Sequence, residues 1–183
     1  MLQSQSLPFL KAVIRLLVPL VWVVSLFLWS TPVWAEAATG LPYTKQYAPP
    51  LSYSNAELSR KDFSGQTLEV AEFSNANLYQ ANFTDANLRG AVLSASTLTE
   101  TNLHGSNLSQ AMMDQIQFIR TDLSDAVLVN AILLRSTFED VNISGADFTD
   151  AMLDGFQVKQ LCQVASGVNS RTKADTRESL GCR

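Results

Sequence analysis

FSNANLYQANFTDANLRGAVL, residues 73–93, places Phe73, Leu78, Phe83, Leu88 and Leu93 five residues apart. Neither regular element keeps such a set on one face. Five residues carry a helix far round its cylinder, and on a strand an odd spacing alternates faces. For all five side chains to enter one core, the chain has to turn as it advances.

The beat extends well beyond this stretch. From Leu58 to Leu153 it fills 20 consecutive positions, each Leu, Phe, Met or Ile. Two residues before each stands a small side chain, Ala in 11 cases and Ser or Thr in five, with Lys61, Gln66, Ile116 and Val141 as the exceptions. A fixed period of this kind decides the architecture before local propensity is considered. Tripeptides such as Ala76-Asn77-Leu78, Ala81-Asn82-Phe83, Ala86-Asn87-Leu88 and Ala146-Asp147-Phe148 resemble the pentapeptide-repeat family over residues 56–155. The resemblance implies an all-β fold, a right-handed quadrilateral β-helix with one pentapeptide per side and four sides per coil. The large residue would then point to the axis, with the small one in the corner beside it.

A 20-residue coil can be tested within the sequence. At that spacing Asp62, Asn82, Asn102, Asp122 and Asn142 form one outward column, and Glu72, Val92, Met112, Ile132 and Met152 form another whose last four members are apolar. At a spacing of 15, Val92 leads to Asn107, Asp122 and Thr137 and the coherence is lost. We therefore expect about five coils, a rod roughly 24 Å long at the ~4.8 Å strand spacing. Lys61 and Gln66, in small-residue slots, mark the first coil as irregular.

The ends differ from the repeat. In MLQSQSLPFLKAVIRLLVPLVWVVSLFLWSTPVWAEA, Lys11 and Arg15 precede an apolar core at 16–29, and Val33 and Ala35 stand at −3 and −1 of a cut before Glu36. This is the pattern of a cleaved secretory signal, residues 1–35. The competing reading is a retained anchor, which Pro19 and Pro32 shorten below the ~20 apolar residues of a spanning helix. Residues 36–55, with Pro42, Pro49 and Pro50, read as an extended approach to the rod. Residues 156–183 leave the beat and hold Cys162 and Cys182, the protein's two cysteines, which export would allow to form a disulfide. Asp175 and Glu178 read as an N-cap and its capping-box partner for a short helix ended by Gly181. The ending TRESLGC, residues 176–182, resembles that of thylakoid-lumenal members of the family, which implies a disulfide-closed cap and a cyanobacterial-type precursor.

Without residues 1–35 the chain carries 11 basic and 17 acidic side chains, a net charge of −6. This balance argues against nucleic acid as a partner. Charge is also unevenly placed, at −9 for residues 56–157 and +3 for 158–183. We therefore expect Lys159, Arg171, Lys173 or Arg177 to dock on Glu139, Asp140, Asp147, Asp150 and Asp154.

No catalytic constellation is legible. His104, the sole histidine, has no partner by spacing, and Gly65, Gly90, Gly105, Gly145 and Gly155 read as repeat corners. The Asx column could hold Ca²⁺ through Asp62 and Asn82, although hydrogen-bonded stacks are the commoner reason for such ladders. No cofactor is expected. The remaining candidate is surface, an apolar stripe of Val92, Met112, Ile132 and Met152 with Val127, Val129 and Leu134 beside it. Such a stripe marks an interaction with another protein or a second copy, unless the termini fold back over it. The leading function is thus a non-catalytic interaction module in a thylakoid lumen or periplasm, with the membrane involved only if the leader is retained. The alternative is a DNA-mimic-type, topoisomerase-binding protein, which the acidic rod fits in sign and the export signal opposes. N-terminal sequencing of the protein purified from its own cells should begin at Glu36; a chain still beginning near Met1 would make it a tethered rod.

Overall fold

The computed structural model describes residues 50–183, which lie within one compact unit, Pro49–Arg183. The leader and residues 36–49 lie outside the described residues.

One backbone choice produces the five-residue side. The second residue after each inward side chain has positive φ, without exception from Asn55 (59°) to Asp150 (55°). The residue that follows closes the turn, as when Ala76 N–H donates to the Phe73 carbonyl at 3.0 Å. Positive φ at the third position with this bond is the requirement of a type II turn. The slot holds Gly, Asn or Asp at 11 of its 20 occurrences, the residues that enter the left-handed region at least cost.

Four such sides return the chain to its starting height plus one strand spacing. Parallel bridges pair each outward residue with the one 20 further on, among them Ser52↔Glu72, Asp62↔Asn82, Val92↔Met112 and Ile132↔Met152. On one side the extended segment is long enough to form strands β1 (Thr97–Thr99), β2 (Gln117–Ile119) and β3 (Thr137–Glu139), a parallel sheet in that order with Thr97 opposite Gln117 and Gln117 opposite Thr137. Among the described residues stacking begins at Ser52, inside the segment read from sequence as an approach. Tyr53 fills an inward slot there and stacks on Phe73, ring centroids 4.9 Å apart.

The inward residues form a single core. Leu68 through Phe148 are fully buried at nearly every fifth position, and Ala71, Ala76, Ala81 and Ala86 are buried in the corners. Rings one coil apart lie parallel, Phe63 on Phe83 at 4.8 Å and Phe118 on Phe138 at 5.0 Å. At Ser96, Thr101, Thr121 and Ser136 the buried corner hydroxyl is satisfied by a carbonyl of the coil below, as when Thr101 donates to Leu78 at 2.8 Å and Ser136 to Met113 at 2.7 Å, whereas Ser106 donates to Leu103 of its own coil. Lys61 and Gln66 are exposed in the corresponding slots of the first coil.

After Leu153 the chain leaves the beat as a helix. Asp154 caps α1 (Gly155–Leu161), accepting from Phe156 and Gln157 N–H while the Gln157 side chain returns to the Asp154 N–H, a complete capping box. Gly155 is therefore the first helical residue and not a repeat corner. The buried Gln157 amide donates to the Leu133 carbonyl at 2.8 Å and to Ser136 at 2.7 Å, so α1 satisfies groups at the end of the ladder that have no further coil. Helix α2 (Thr176–Ser179) has Asp175 as its N-cap, as read from sequence, and Ser179 Oγ accepts from the Phe148 N–H at 3.1 Å. Cys162 and Cys182 are joined by a disulfide, Cα atoms 5.7 Å apart. Closing a loop of about 20 residues stabilises the fold by roughly 3 kcal/mol on the chain-entropy account.

The basic tail docks by a different route from the one its charge suggested. Among the described residues, ion pairs are Arg120–Glu100 and Arg135–Asp114, and none joins the tail to the five acids at the rod's end. Asn169, fully buried, donates to the carbonyls of Asp125 and Gly145 at 3.1 and 2.9 Å. Ser170 N–H binds the Asp125 carboxylate at 2.6 Å, and Arg171 donates to the Gly105 carbonyl. Lys173 and Arg177 donate to backbone carbonyls of the tail itself, Ser170 and Cys162. Amide and hydroxyl donors fit the unpaired carbonyls of a coil edge, whereas exposed ion pairs gain little.

Val70 tests the turn. It is β-branched, stands at φ 52°, and its Cγ1 occupies the space a Cβ on Gly90 would enter. Val70→Asn should raise stability by about 1 kcal/mol, because Asn enters this region at lower cost. Thermal unfolding measures it; a lowered melting temperature would show that Val70 contributes more by packing than it loses in strain.

Candidate functional site

The outward slots carry the repeat's polar ladders. Asn82 Oδ1 accepts from the Thr84 N–H at 3.1 Å and from its hydroxyl at 2.7 Å, and Asn82 Nδ2 donates to Asp62 at 3.0 Å. Asp122 and Asn142 repeat the arrangement, with Asn142 donating to Asp122 at 3.1 Å. Each Asx side chain therefore caps its own turn, and Asp62–Asn82 and Asp122–Asn142 are also tied along the column. No group of three His, Cys, Asp or Glu among the described residues is placed to hold a metal ion. His104 Nδ1 lies 2.9 Å from Ser124 Oγ, both on the surface. No helix among the described residues is long and apolar enough to cross a membrane.

The apolar stripe has a different character. Bridges Val92↔Met112, Met112↔Ile132 and Ile132↔Met152 set its four members directly above one another on one side of the rod. Met112 and Met152 are 43% and 54% exposed, and Val92 and Ile132 are half-buried between their neighbours. Leu134 follows on the same side and is 38% exposed. Val129, half-buried on the preceding side, lines a shallow recess of about 250 Å³ with Arg89, Asn107, Ser109, Gln110 and Asn130. Val127 does not belong to the exposed set. It is 8% exposed, in a column whose neighbouring members are Asn107 and Asp147.

Phe156 joins the surface and was missed from sequence. It is 77% exposed in the first turn of α1, four residues beyond Met152. Gln157 and Leu161, four apart on α1, face inward together, and that phase leaves Phe156 outside. The Asp154-x-x-Gln157 capping box was the signal that could have placed it.

Beside the column runs a fixed charge. Asp114 accepts from Ser94 Oγ at 2.5 Å, from Gln115 at 3.0 Å and from Arg135 at 3.0 Å. The Ser94 hydrogen bond first, with help from Gln115 and Arg135, holds its carboxyl at about 2. At the far corner Arg60, Gln80, Glu100 and Arg120 form a chain of hydrogen bonds along successive coils. At Asp125 burial pushes the carboxyl up, but hydrogen bonds from Ser170 and the field of Arg171 outweigh it and the net shift is downward.

Asp114 gives a titration with a definite sign. Its folded pKa lies below the ordinary 3.8, so the stability it contributes is complete above that value and is lost as pH falls through about 2. In Ser94→Ala the carboxyl resonance of Asp114 should titrate at higher pH than in wild type; an unchanged midpoint would show that the hydroxyl does not hold it.

Comparison with known proteins places these features. Residues 66–148 match the model of the pentapeptide repeat region. A pentapeptide repeat protein from the Arabidopsis thaliana thylakoid lumen is 36% identical, with 80% of this chain aligned to 99% of that one at a TM-score of 0.45. HetL, a pentapeptide repeat protein involved in heterocyst differentiation regulation in the cyanobacterium Nostoc, is 27% identical over 55% of this chain and 48% of its own, TM-score 0.28. QnrB1, a plasmid-mediated fluoroquinolone resistance protein, is 16% identical over 61% of this chain and 71% of its own, TM-score 0.27. Among curated proteins none matches.

Proposed function

The chain belongs to the pentapeptide-repeat family, and we propose that it is an exported, non-catalytic module that presents a rigid apolar surface to another protein in a thylakoid lumen or periplasm. The observation that carries this reading is the column Val92, Met112, Ile132 and Met152, held in line by consecutive bridges with Met112 and Met152 exposed. Outward slots elsewhere are mostly filled by Asn, Asp, Ser, Thr and Glu that satisfy turns, so an apolar run has no role in the repeat itself. A contiguous exposed apolar patch is the ordinary mark of a binding site.

Rigidity matters to the reading. The backbone of each column residue is fixed by its bridge and by an inward neighbour in the core, so little backbone freedom is lost on binding. In this reading the rod has about five coils and is closed at its C-terminal end by α1, α2 and the disulfide. The leader read at 1–35, the disulfide and the lumenal relative together support export.

Chemical cross-linking in an extract of the protein's own compartment is the test, with wild type compared against Met112→Asp/Ile132→Asp. We expect wild type to capture a defined protein and the variant to lose it at an unchanged melting temperature. Capture of the same set by both would remove the column from the function, and loss of folding in the variant would make it core.

A further inference from the structure

This inference rests on the reading of the Met112 side as a protein-binding surface and names one occupant. We propose that the occupant is a second copy of this chain, packed antiparallel about a two-fold axis that crosses the rods midway between the coils of Met112 and Ile132.

The column is self-complementary under that operation. A two-fold lying in the interface and perpendicular to the rods keeps lateral position and reverses height. The four column residues share one lateral position through their bridges. Met112 therefore meets the second copy's Ile132, and Val92 meets its Met152. Each apolar side chain finds an apolar counterpart, with no member of the column left facing a polar group.

The charges beside the column obey the same symmetry. Asp114 and Arg135 stand on the same edge, on the two coils that the axis exchanges, and carry opposite signs. Each Asp114 comes level with the second copy's Leu134, its slot partner 20 residues on, and with Arg135 one residue further along the same edge. Within one chain Arg135 holds Asp114 through a single nitrogen at 3.0 Å while its side chain stays 71% exposed. Its remaining donors are thus available to a second carboxylate, and two Asp and two Arg close a ring at one edge of the contact, on the two-fold axis.

A parallel arrangement also sets the column against itself but loses the charge match. A two-fold along the rods reverses lateral position about the column and brings Asp154 level with the second copy's Asp150, where like charges repel, while Asp114 meets Gln110. Size sets the strength. Three coil steps at ~4.8 Å make a column about 15 Å long, an interface near or below ~1,200 Å² and hence of the weak, reversible class.

Sedimentation equilibrium on the protein purified from its own cells, from about 1 to 200 µM, tests the arrangement over the range in which a micromolar contact is read. We expect a reversible monomer–dimer equilibrium. Arg135→Asp puts two like charges on each face, as does Asp114→Arg, so each variant alone should dissociate roughly tenfold or more readily. An equimolar mixture of the two should recover the dimer, although each molecule keeps its own broken pair; repair within one chain cannot produce that result. Circular dichroism melts establish that both variants are folded. A wild type that stays monomeric throughout, a mixture that fails to associate, or a dimer that survives Met112→Asp/Ile132→Asp would each overturn the proposal. A monomer that still captures another protein through the column would overturn the dimer and leave the broader reading in place.

Discussion

The left-handed residue that ends every side is the constraint on which the rest of the structure depends. It costs an L-residue on the order of 1 kcal/mol or more to sit there, and 16 of the 20 occurrences from Asn55 to Asp150 are not glycine. The cost is offset within the same five residues. Each side buries one large apolar side chain, worth about 1.5–3 kcal/mol, and joins the coils next to it through backbone hydrogen bonds. A single pentapeptide has neither return, because both require a coil above or below. The fold is therefore stable only as a stack, and its stability is a sum over neighbouring coils.

A stack that needs neighbours has a difficulty at its last coil. The carbonyls of Leu133, Ser136 and Gly145 and the N–H of Phe148 face a level at which the repeat has stopped. The chain answers with side chains that carry the right donors and acceptors. Gln157 and Asn169, both buried, supply amide hydrogens, and the Ser179 hydroxyl accepts from Phe148. The Cys162–Cys182 bond holds together the two ends of the segment that bears Asn169 and Ser179. This is also why the tail's positive charge misled. What the last coil lacks is hydrogen-bond partners for its backbone, and a neutral amide meets that need without desolvating an ion.

The same register that builds the core composes the surface. Residues 20 apart become neighbours, so any chemical bias at one slot becomes a column about one strand spacing in pitch. Asx residues make a capped ladder, Arg60, Gln80, Glu100 and Arg120 make a hydrogen-bonded chain, and Val92, Met112, Ile132 and Met152 make an apolar strip. The first two satisfy themselves within the chain. Among the described residues the third satisfies nothing within the chain, which is the physical reason for proposing binding there and not on the acidic faces.

Much was legible in the linear order of residues, because the interactions that define this fold are periodic in it. The five-residue beat announces the turning chain, and the Asp62–Asn142 and Val92–Met152 series select 20 residues per coil over 15 before any coordinates are seen. Asp175 announces the cap of α2 by local chemistry alone. The bridge-by-bridge alignment of the column, the burial of Val127 between Asn107 and Asp147, the exposure of Phe156 and the anchoring of Asn169 were decided by the tertiary structure. Those outcomes depend on what lies one coil away or across the end of the rod. The sequence states the period of a stack, but not how the chain covers the place where the stack ends.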